Sequence, residues 1–202
     1  MLLLLAGGCA FCGEVGEVSP ARVPCIPEPR VNVLLRPVES LPLERGLFVY
    51  WVGEGQDPAR VRHYAGLVHR ALLKARAFET LEWYGKRDFN ALQKARKSRA
   101  YLVILEGIEV FAPTRSAPGK VSLTLRIMAP ERELSLWELV AETQLCPCYA
   151  VNYGVCLGPE ENPYASARAI EEAFFQTSWV AGEVLKGAPW CEKCSPCVFR
   201  PE

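Results

Sequence analysis

The stretch from Arg99 to Gln144 constrains the fold of this chain more than any other part of its sequence. Residues Tyr101–Phe111 form a continuous apolar run of strand type, and a Pro-Gly turn follows. The run Lys120–Met128 then alternates, and a third strand-like segment follows Pro130. Such period-two patterns, separated by turn residues, predict three antiparallel strands in a meander. On the middle strand, apolar side chains point one way and polar ones the other: Val121, Leu123, Leu125 and Ile127 against Ser122, Thr124 and Arg126.

Two more strands and a helix are predicted before the meander. The strand candidates are Val31–Arg36 and Leu47–Val52. Asp57 followed by Pro58 is typical of a helix start, with Asp as the N-cap and Pro as the first helical residue. One apolar stripe with helical spacing indicates the side that faces the core: Val61, Ala65, Val68, Leu72 and Ala75.

A short strand and a second helix connect this helix to the meander. We expect the strand over Phe78–Tyr84, ended by Gly85, and the helix from the cap Asp88 to about Lys97.

A long loop and a closing helix are predicted after the meander. The loop covers Leu145–Pro163, the amphipathic helix covers Tyr164–Lys186, and Gly187 is its expected C-cap. The fold class predicted for residues 30–187 is a two-layer α/β (α+β) domain. In it, a mostly antiparallel meander sheet packs against two to three helices.

The charge balance and the histidines argue against two classes of function. The chain has 23 basic and 23 acidic residues, whereas a nucleic-acid partner normally requires a basic excess. His63 and His69 are the only histidines, and six residues do not bring two side chains onto one helix face. We interpret both as surface or boundary residues. The sequence also lacks a Gly-rich phosphate loop, a serine nucleophile elbow and a His-Glu metal helix, so we expect no enzymatic activity.

The amino terminus resembles the end of a bacterial lipoprotein signal peptide. A leucine run and small residues lead to Cys9, the cysteine that such a signal acylates. It departs from the usual pattern at Ala6, in its lack of a basic residue and in its short apolar part. The resemblance makes residues 1–9 a signal remnant and residues 10–29 a tether. The alternative is an apolar segment that packs on the core.

Nine cysteines lie in the segments that flank the predicted core. If Cys9 carries lipid, an even number remains for disulfides in an oxidising compartment. These disulfide candidates are Cys12, Cys25, Cys146, Cys148, Cys156, Cys191, Cys194 and Cys197. Their connectivity cannot be read from the sequence.

Metal binding is the alternative interpretation of the same cysteines. The tail, residues 188–202, has the C-x-x-C-x-x-C spacing of an iron-sulfur cluster loop, but it supplies three thiolates and not four. Zinc could be held by pairs from two segments. The candidate ligands, with Cys156 as a further thiolate, are Cys146, Cys148, Cys191, Cys194 and Cys197.

The order of elements resembles the domain shared by the curli-secretion lipoprotein CsgG, the amino-terminal domain of TolB and the lipoprotein LpoB. The likeness rests on the run Phe78–Tyr84, the helix after it, the strand from Arg99, two alternating strands and Trp137 near the third strand. It implies a non-enzymatic envelope protein that acts as an accessory or assembly factor. Together with the lipidation candidate Cys9, and with Ala10 after it, which is compatible with outer-membrane sorting, this predicts a periplasmic lipoprotein anchored in the outer membrane. Its expected partners are other envelope proteins or further copies of itself, with no cofactor and no nucleic acid.

Four aromatic residues are candidates for a partner-binding patch. They lie in the cysteine-containing loop and in the tail: Tyr149, Tyr153, Trp190 and Phe199. The alternative is that they cover the core beneath the disulfides.

Overall fold

The computed structural model describes a subset of the chain, and for three short segments it describes the backbone alone. The described residues are 29–38, 43–112, 119–145, 150–152, 155–157 and 163–188, with the backbone alone at 150–152, 155–157 and 163–166. Eight strands and three helices lie within these ranges: β1 Arg30–Leu35, β2 Arg45–Tyr50, α1 Pro58–Lys74, β3 Thr80–Lys86, α2 Phe89–Ser98, β4 Tyr101–Phe111, β5 Gly119–Ala129, β6 Leu134–Leu145, β7 Ala150–Asn152, β8 Val155–Leu157 and α3 Pro163–Leu185.

The main sheet has six strands in the order β1-β6-β5-β4-β2-β3. β4, β5 and β6 pair antiparallel in sequence order, which confirms the predicted meander, and β1 pairs antiparallel with β6. β2 pairs parallel with β4 on one side and with β3 on the other. The predicted α/β class is confirmed, with a sheet of mixed direction.

Alternation along the strands produces two apolar surfaces of unequal size. The larger surface includes the four apolar residues of β5 that were predicted to share a face, and α1 and α3 pack over it. The predicted stripe of α1 is buried there along its whole length. The smaller surface holds Leu47, Val49, Leu102 and Ile104, and α2 covers it with Ala91 and Ala95.

The predicted helix starts are confirmed by their caps. Asp57 Oδ1 accepts a hydrogen bond of 2.9 Å from the Ala59 N–H, and Asp88 Oδ1 accepts one of 2.9 Å from the Ala91 N–H. These bonds satisfy amide donors that have no partner inside a helix.

All three helices end in a left-handed residue with the paired backbone bonds of a Schellman motif. At the end of α3 the Ala188 N–H donates to the Glu183 carbonyl and the Gly187 N–H to the Val184 carbonyl. Gly187, the predicted C-cap, has φ +99°. The corresponding residues of α1 and α2 are Arg76 and Arg99, with φ of 53° and 52°.

Two details of the sequence interpretation were wrong. Gly85 does not end β3, because the strand runs to Lys86. Gly85 lies within the strand with φ +122°, next to a shift in the pairing register between β2 and β3. A positive φ inside a strand is tolerated by glycine and produces a local bulge. The segment Leu145–Pro163 is not wholly a loop, because β7 and β8 pair antiparallel within it.

No helix in the described part of the chain is long and apolar enough to cross a membrane.

Candidate binding grooves

Most of the site residues predicted from the sequence lie outside the described residues. This holds for the lipidation candidate Cys9, for seven further cysteines, and for the four aromatic candidates: Cys12, Cys25, Cys146, Cys148, Cys191, Cys194, Cys197, Tyr149, Tyr153, Trp190 and Phe199. Cys156 lies in β8, where its backbone is opposite Val151, and its side chain is not described. The lipid, disulfide and metal assignments therefore stay predictions.

The described residues form a first groove between α1 and β3, with a volume of about 770 Å³. We call it the α1–β3 groove. Tyr50 and Trp83 line it from the sheet, and one side of α1 lines it opposite, including Arg62, Gly66, His69 and Arg70. On a helix these four positions fall on one side because they are separated by one or two turns.

An aromatic cluster holds Trp83 in the groove. Its ring stacks on the fully buried Phe48 at 5.5 Å between centroids, and it meets His69 edge to face at 5.4 Å. Tyr50 lies 5.6 Å from Trp83. Several favourable ring contacts orient the indole, so the groove presents a fixed aromatic surface.

His69 connects α1 to the edge strand. Its Nε2–H donates to the Leu81 carbonyl over 2.9 Å. Burial lowers the pKa of His69, and the backbone hydrogen bond partly opposes this effect. At neutral pH the ring is therefore an uncharged donor that keeps α1 against β3. The prediction that both histidines lie at the surface or boundary is confirmed, since His69 is half-buried and His63 is exposed.

The α1 side of the groove is positively charged. α1 contains four Arg or Lys residues and no Asp or Glu. His63 bonds Glu171 of α3 at 2.8 Å, and the Arg60 guanidinium lies over the Tyr64 ring. Among the described residues, Arg62 and Arg70 form no ion pair and no hydrogen bond through their side chains, and both are exposed.

A second groove of about 590 Å³ lies on the opposite face of the sheet, beside α2. We call it the α2–β4 groove. Leu92, Leu102 and Met128 supply apolar lining, and Trp51 and Phe89 stand beside them with 52% and 77% of their surface exposed. Exposed aromatics beside an apolar depression are unusual on a surface without a partner.

Charged side chains complete this second groove: Arg87, Asp88 and Glu133. Asp88 accepts a hydrogen bond of 2.9 Å from the Tyr84 hydroxyl, and this bond, with smaller contributions from desolvation and the carboxylate charge, raises the pKa of Tyr84. Arg96 pairs with Glu133 and donates to the Pro130 carbonyl, which ties α2 to the turn between β5 and β6.

The last residue of β2 lines one groove, and the residue after it lines the other. Tyr50 and Trp51 are consecutive, and successive side chains of an extended segment point to opposite faces. The Trp51 N–H donates to the Leu105 carbonyl over 2.9 Å, so the pairing with β4 continues past the last residue of β2. One extended segment thus supplies an aromatic ring to each groove.

Sequence reasoning missed Trp51 and Phe89. Trp51 falls in the predicted strand Leu47–Val52, and the surface exposure of a strand residue depends on which helix covers it. A signal was available for Phe89. It directly follows the Asp88 cap, and it lies off the small-residue stripe of Ala91 and Ala95 that packs on the sheet.

Comparison with known proteins gives no family. No protein-family model matches the chain, and no curated protein sequence matches it either. Among solved structures, a PelC dodecamer from Paraburkholderia phytofirmans is 12% identical, with a TM-score of 0.46 over 75% of this chain and 95% of that chain. A PelC variant from the same organism has a TM-score of 0.43 at 12% identity, over 74% of this chain and 98% of that chain.

A third solved structure is a homolog of the neuraminyllactose-binding hemagglutinin from Helicobacter pylori. It has a TM-score of 0.37 and 11% identity, over 73% of this chain and 88% of that chain. Likenesses this weak carry no argument about what the chain binds or how it assembles.

Proposed function

We propose that this protein is a lipid-anchored, non-enzymatic component of the bacterial cell envelope that acts as an accessory or assembly factor by binding other proteins. The observation that carries the proposal is the pair of exposed aromatic side chains, Trp51 and Phe89, beside the α2–β4 groove. Anchoring and the oxidising location rest on the sequence around Cys9 and on the even number of remaining cysteines.

The composition of the α2–β4 groove favours a protein partner. Trp and Phe each bury about 150–250 Å² when fully covered, and aromatic side chains dominate the energetics of many interfaces. Leu92, Leu102 and Met128 provide an apolar centre, and the charged side chains beside them provide a polar rim. An apolar centre with a polar rim is the usual arrangement of a protein-protein interface.

The proposed anchor is compatible with such contacts away from the membrane surface. Residues 10–28 separate Cys9 from Pro29, the first described residue. Fully extended, a segment of this length spans at most about 70 Å. The domain could therefore reach partners well beyond the lipid headgroups while it remains attached.

Site-specific photo-crosslinking in the native cells tests the proposal. A photoreactive phenylalanine analogue replaces Phe89 in one variant and Trp51 in another. We expect both variants to crosslink to the same envelope protein or to a second copy of this chain. Leu73 provides the matched control, because it is a large apolar residue of α1, on the other side of the sheet, and is 40% exposed.

The outcomes separate the proposal from its alternatives. Crosslinks from positions 51 and 89 with none from position 73, in a membrane fraction, would support protein binding through this groove. Equal crosslinking from all three positions, or none from positions 51 and 89, would contradict it.

A further inference from the structure

We propose that the α1–β3 groove binds an acidic, extended segment of a partner protein, which adds to β3 as a further strand and places its carboxylates against Arg62 and Arg70. This inference gives the proposed protein-binding role a second site on the opposite face of the sheet. It does not depend on the lipid anchor or on Trp51.

β3 has a side open to strand addition. It is the last strand of the main sheet, and no described strand pairs with its outer side. The Thr80 N–H donates toward β2, to the Glu44 carbonyl. The N–H and C=O groups of successive residues point to alternate sides of a strand. Those of Leu81 and Trp83 therefore point away from β2, toward the open edge. The Leu81 carbonyl already accepts a hydrogen bond from His69. The N–H and C=O of Trp83 are available to pair with the backbone of a bound peptide.

The charges along α1 match an extended acidic peptide in sign and in spacing. Arg62 and Arg70 are eight residues apart, which corresponds to about 12 Å along a helix. In an extended peptide, side chains four residues apart point to the same face and lie about 13 Å apart. Two carboxylates with that spacing can meet both guanidinium groups, which have no partner among the described residues.

Gly66 leaves room for such a segment. This residue belongs to the interior turns of α1 and lines the groove. A Cβ built on it meets no atom within 4 Å. A glycine inside a helix destabilises the fold relative to alanine, and no contact of the described residues requires it here. The open space beside Gly66 and the ring of Trp83 can accept an apolar side chain of the peptide.

An acidic peptide explains these features better than a charged sugar chain. Both would satisfy the two arginines, and both could contact the indole of Trp83. The open edge of β3 distinguishes them, because a peptide backbone has regularly spaced donors and acceptors that pair with a strand edge.

Binding measurements on the full chain test the inference. The probe is a short fluorescent peptide that carries glutamate at positions i and i+4 and valine at i+2, so that all three side chains share one face of the extended chain. We expect it to bind, and we expect the double variant Arg62→Gln/Arg70→Gln to raise Kd about tenfold, because each exposed charge pair contributes a few-fold. The double variant Lys97→Gln/Arg132→Gln is the matched control. It removes the same charge from exposed residues outside the groove, and it should bind like the wild type.

A second measurement tests strand addition directly. Hydrogen exchange at the Trp83 amide should slow when the acidic peptide is bound. A peptide with alternate backbone nitrogens methylated, so that it cannot donate to the Trp83 carbonyl, should bind at least several-fold more weakly. Oligogalacturonate, a carboxylate polymer without amides, should bind no more tightly than the methylated peptide.

Several results would overturn the inference. These are equal binding of the same peptide with lysine in place of both glutamates, unchanged Kd in the Arg62→Gln/Arg70→Gln variant, or no added protection at Trp83. Tighter binding of oligogalacturonate than of the acidic peptide would make the groove a sugar-binding site instead. None of these results bears on crosslinking from positions 51 and 89, so failure here is distinguishable from failure of the proposed function.

Discussion

Two glycines inside helices should respond in opposite ways to the same substitution. A Cβ built on Gly66 of α1 meets no atom within 4 Å. A Cβ built on Gly182 of α3 would lie 2.7 Å from the Cβ of Ala75 and 3.4 Å from a methyl of Leu72. The first position has space for a side chain, whereas the second is where α3 crosses the end of α1.

The magnitudes follow from helix propensity and packing. Gly66→Ala should raise the free energy of unfolding by about 0.5–1 kcal/mol, since alanine restricts the unfolded chain and nothing obstructs it when folded. For a chain of this size, 1 kcal/mol corresponds to a rise in Tm of about 2–4 °C. Gly182→Ala gains the same propensity, but overpacking costs about 1–3 kcal/mol, so we expect a net loss of up to about 2 kcal/mol.

Urea denaturation of the full chain measures both variants. The midpoint should move up for Gly66→Ala and down for Gly182→Ala, with the slope m unchanged. A Gly182→Ala variant as stable as Gly66→Ala would refute the close contact between α1 and α3. A destabilised Gly66→Ala variant would refute the open space beside Gly66, and with it one support for the peptide-binding role of the α1–β3 groove.

Three further predictions concern helix ends and pH. Arg99→Gly should stabilise the protein by about 0.5–1 kcal/mol in urea denaturation, because glycine adopts the left-handed φ of 52° without strain. Lys97→Gly, inside α2, should instead destabilise it by about 1 kcal/mol. Asp88→Ala should lower the free energy of unfolding by about 1 kcal/mol, since the Ala91 N–H loses its acceptor; an unchanged midpoint would exclude a capping role. Burial lowers the pKa of His69 from 6.5, so its unfolded form takes up a proton first as the pH falls. The contribution of His69 to the free energy of unfolding is complete above pH 6.5 and is lost as the pH falls through the folded pKa. In urea denaturation at several pH values, His69→Gln should abolish this pH dependence, and His63→Gln should retain it.

The parts of the fold that depend on local patterns could be predicted from the sequence. The meander follows from the alternation in Lys120–Met128, and the helix starts follow from Asp57 and Asp88, whose caps act within three residues. The buried side of α1 follows from its apolar stripe. In each case the deciding interaction lies within one element or one turn.

The order of the strands in the sheet, and which helix packs on which face of it, could not be predicted from local patterns. β2 and β3 pair in parallel only because α1 carries the chain back across the sheet, and that depends on contacts far apart in sequence. One sign was present: Leu47 to Tyr50 is apolar at every position, which is typical of a parallel strand buried on both faces. β7 and β8 are three residues each, too short for a periodic pattern.

The candidate sites were harder to predict than the fold. Trp51 and Phe89 become candidate binding residues only because α2, the helix beside them, is short and its buried side is made of small residues. Arg62 and Arg70 resemble ordinary helix-surface residues until the open edge of β3 is seen beside them. The cysteine pattern was evident in the sequence, and all its assignments stay predictions.

An intact mass with a thiol count, measured on protein purified from its native cells, tests the proposed lipid anchor and the proposed disulfides together. We expect a mass that begins at Cys9 and includes acyl chains, with no free thiol until a reductant is added. A mass that begins at or before Met1, with free or metal-bound thiols and added iron or zinc, would contradict the proposed anchor and disulfides. The cysteine segments would then be the functional centre and the α/β domain their scaffold.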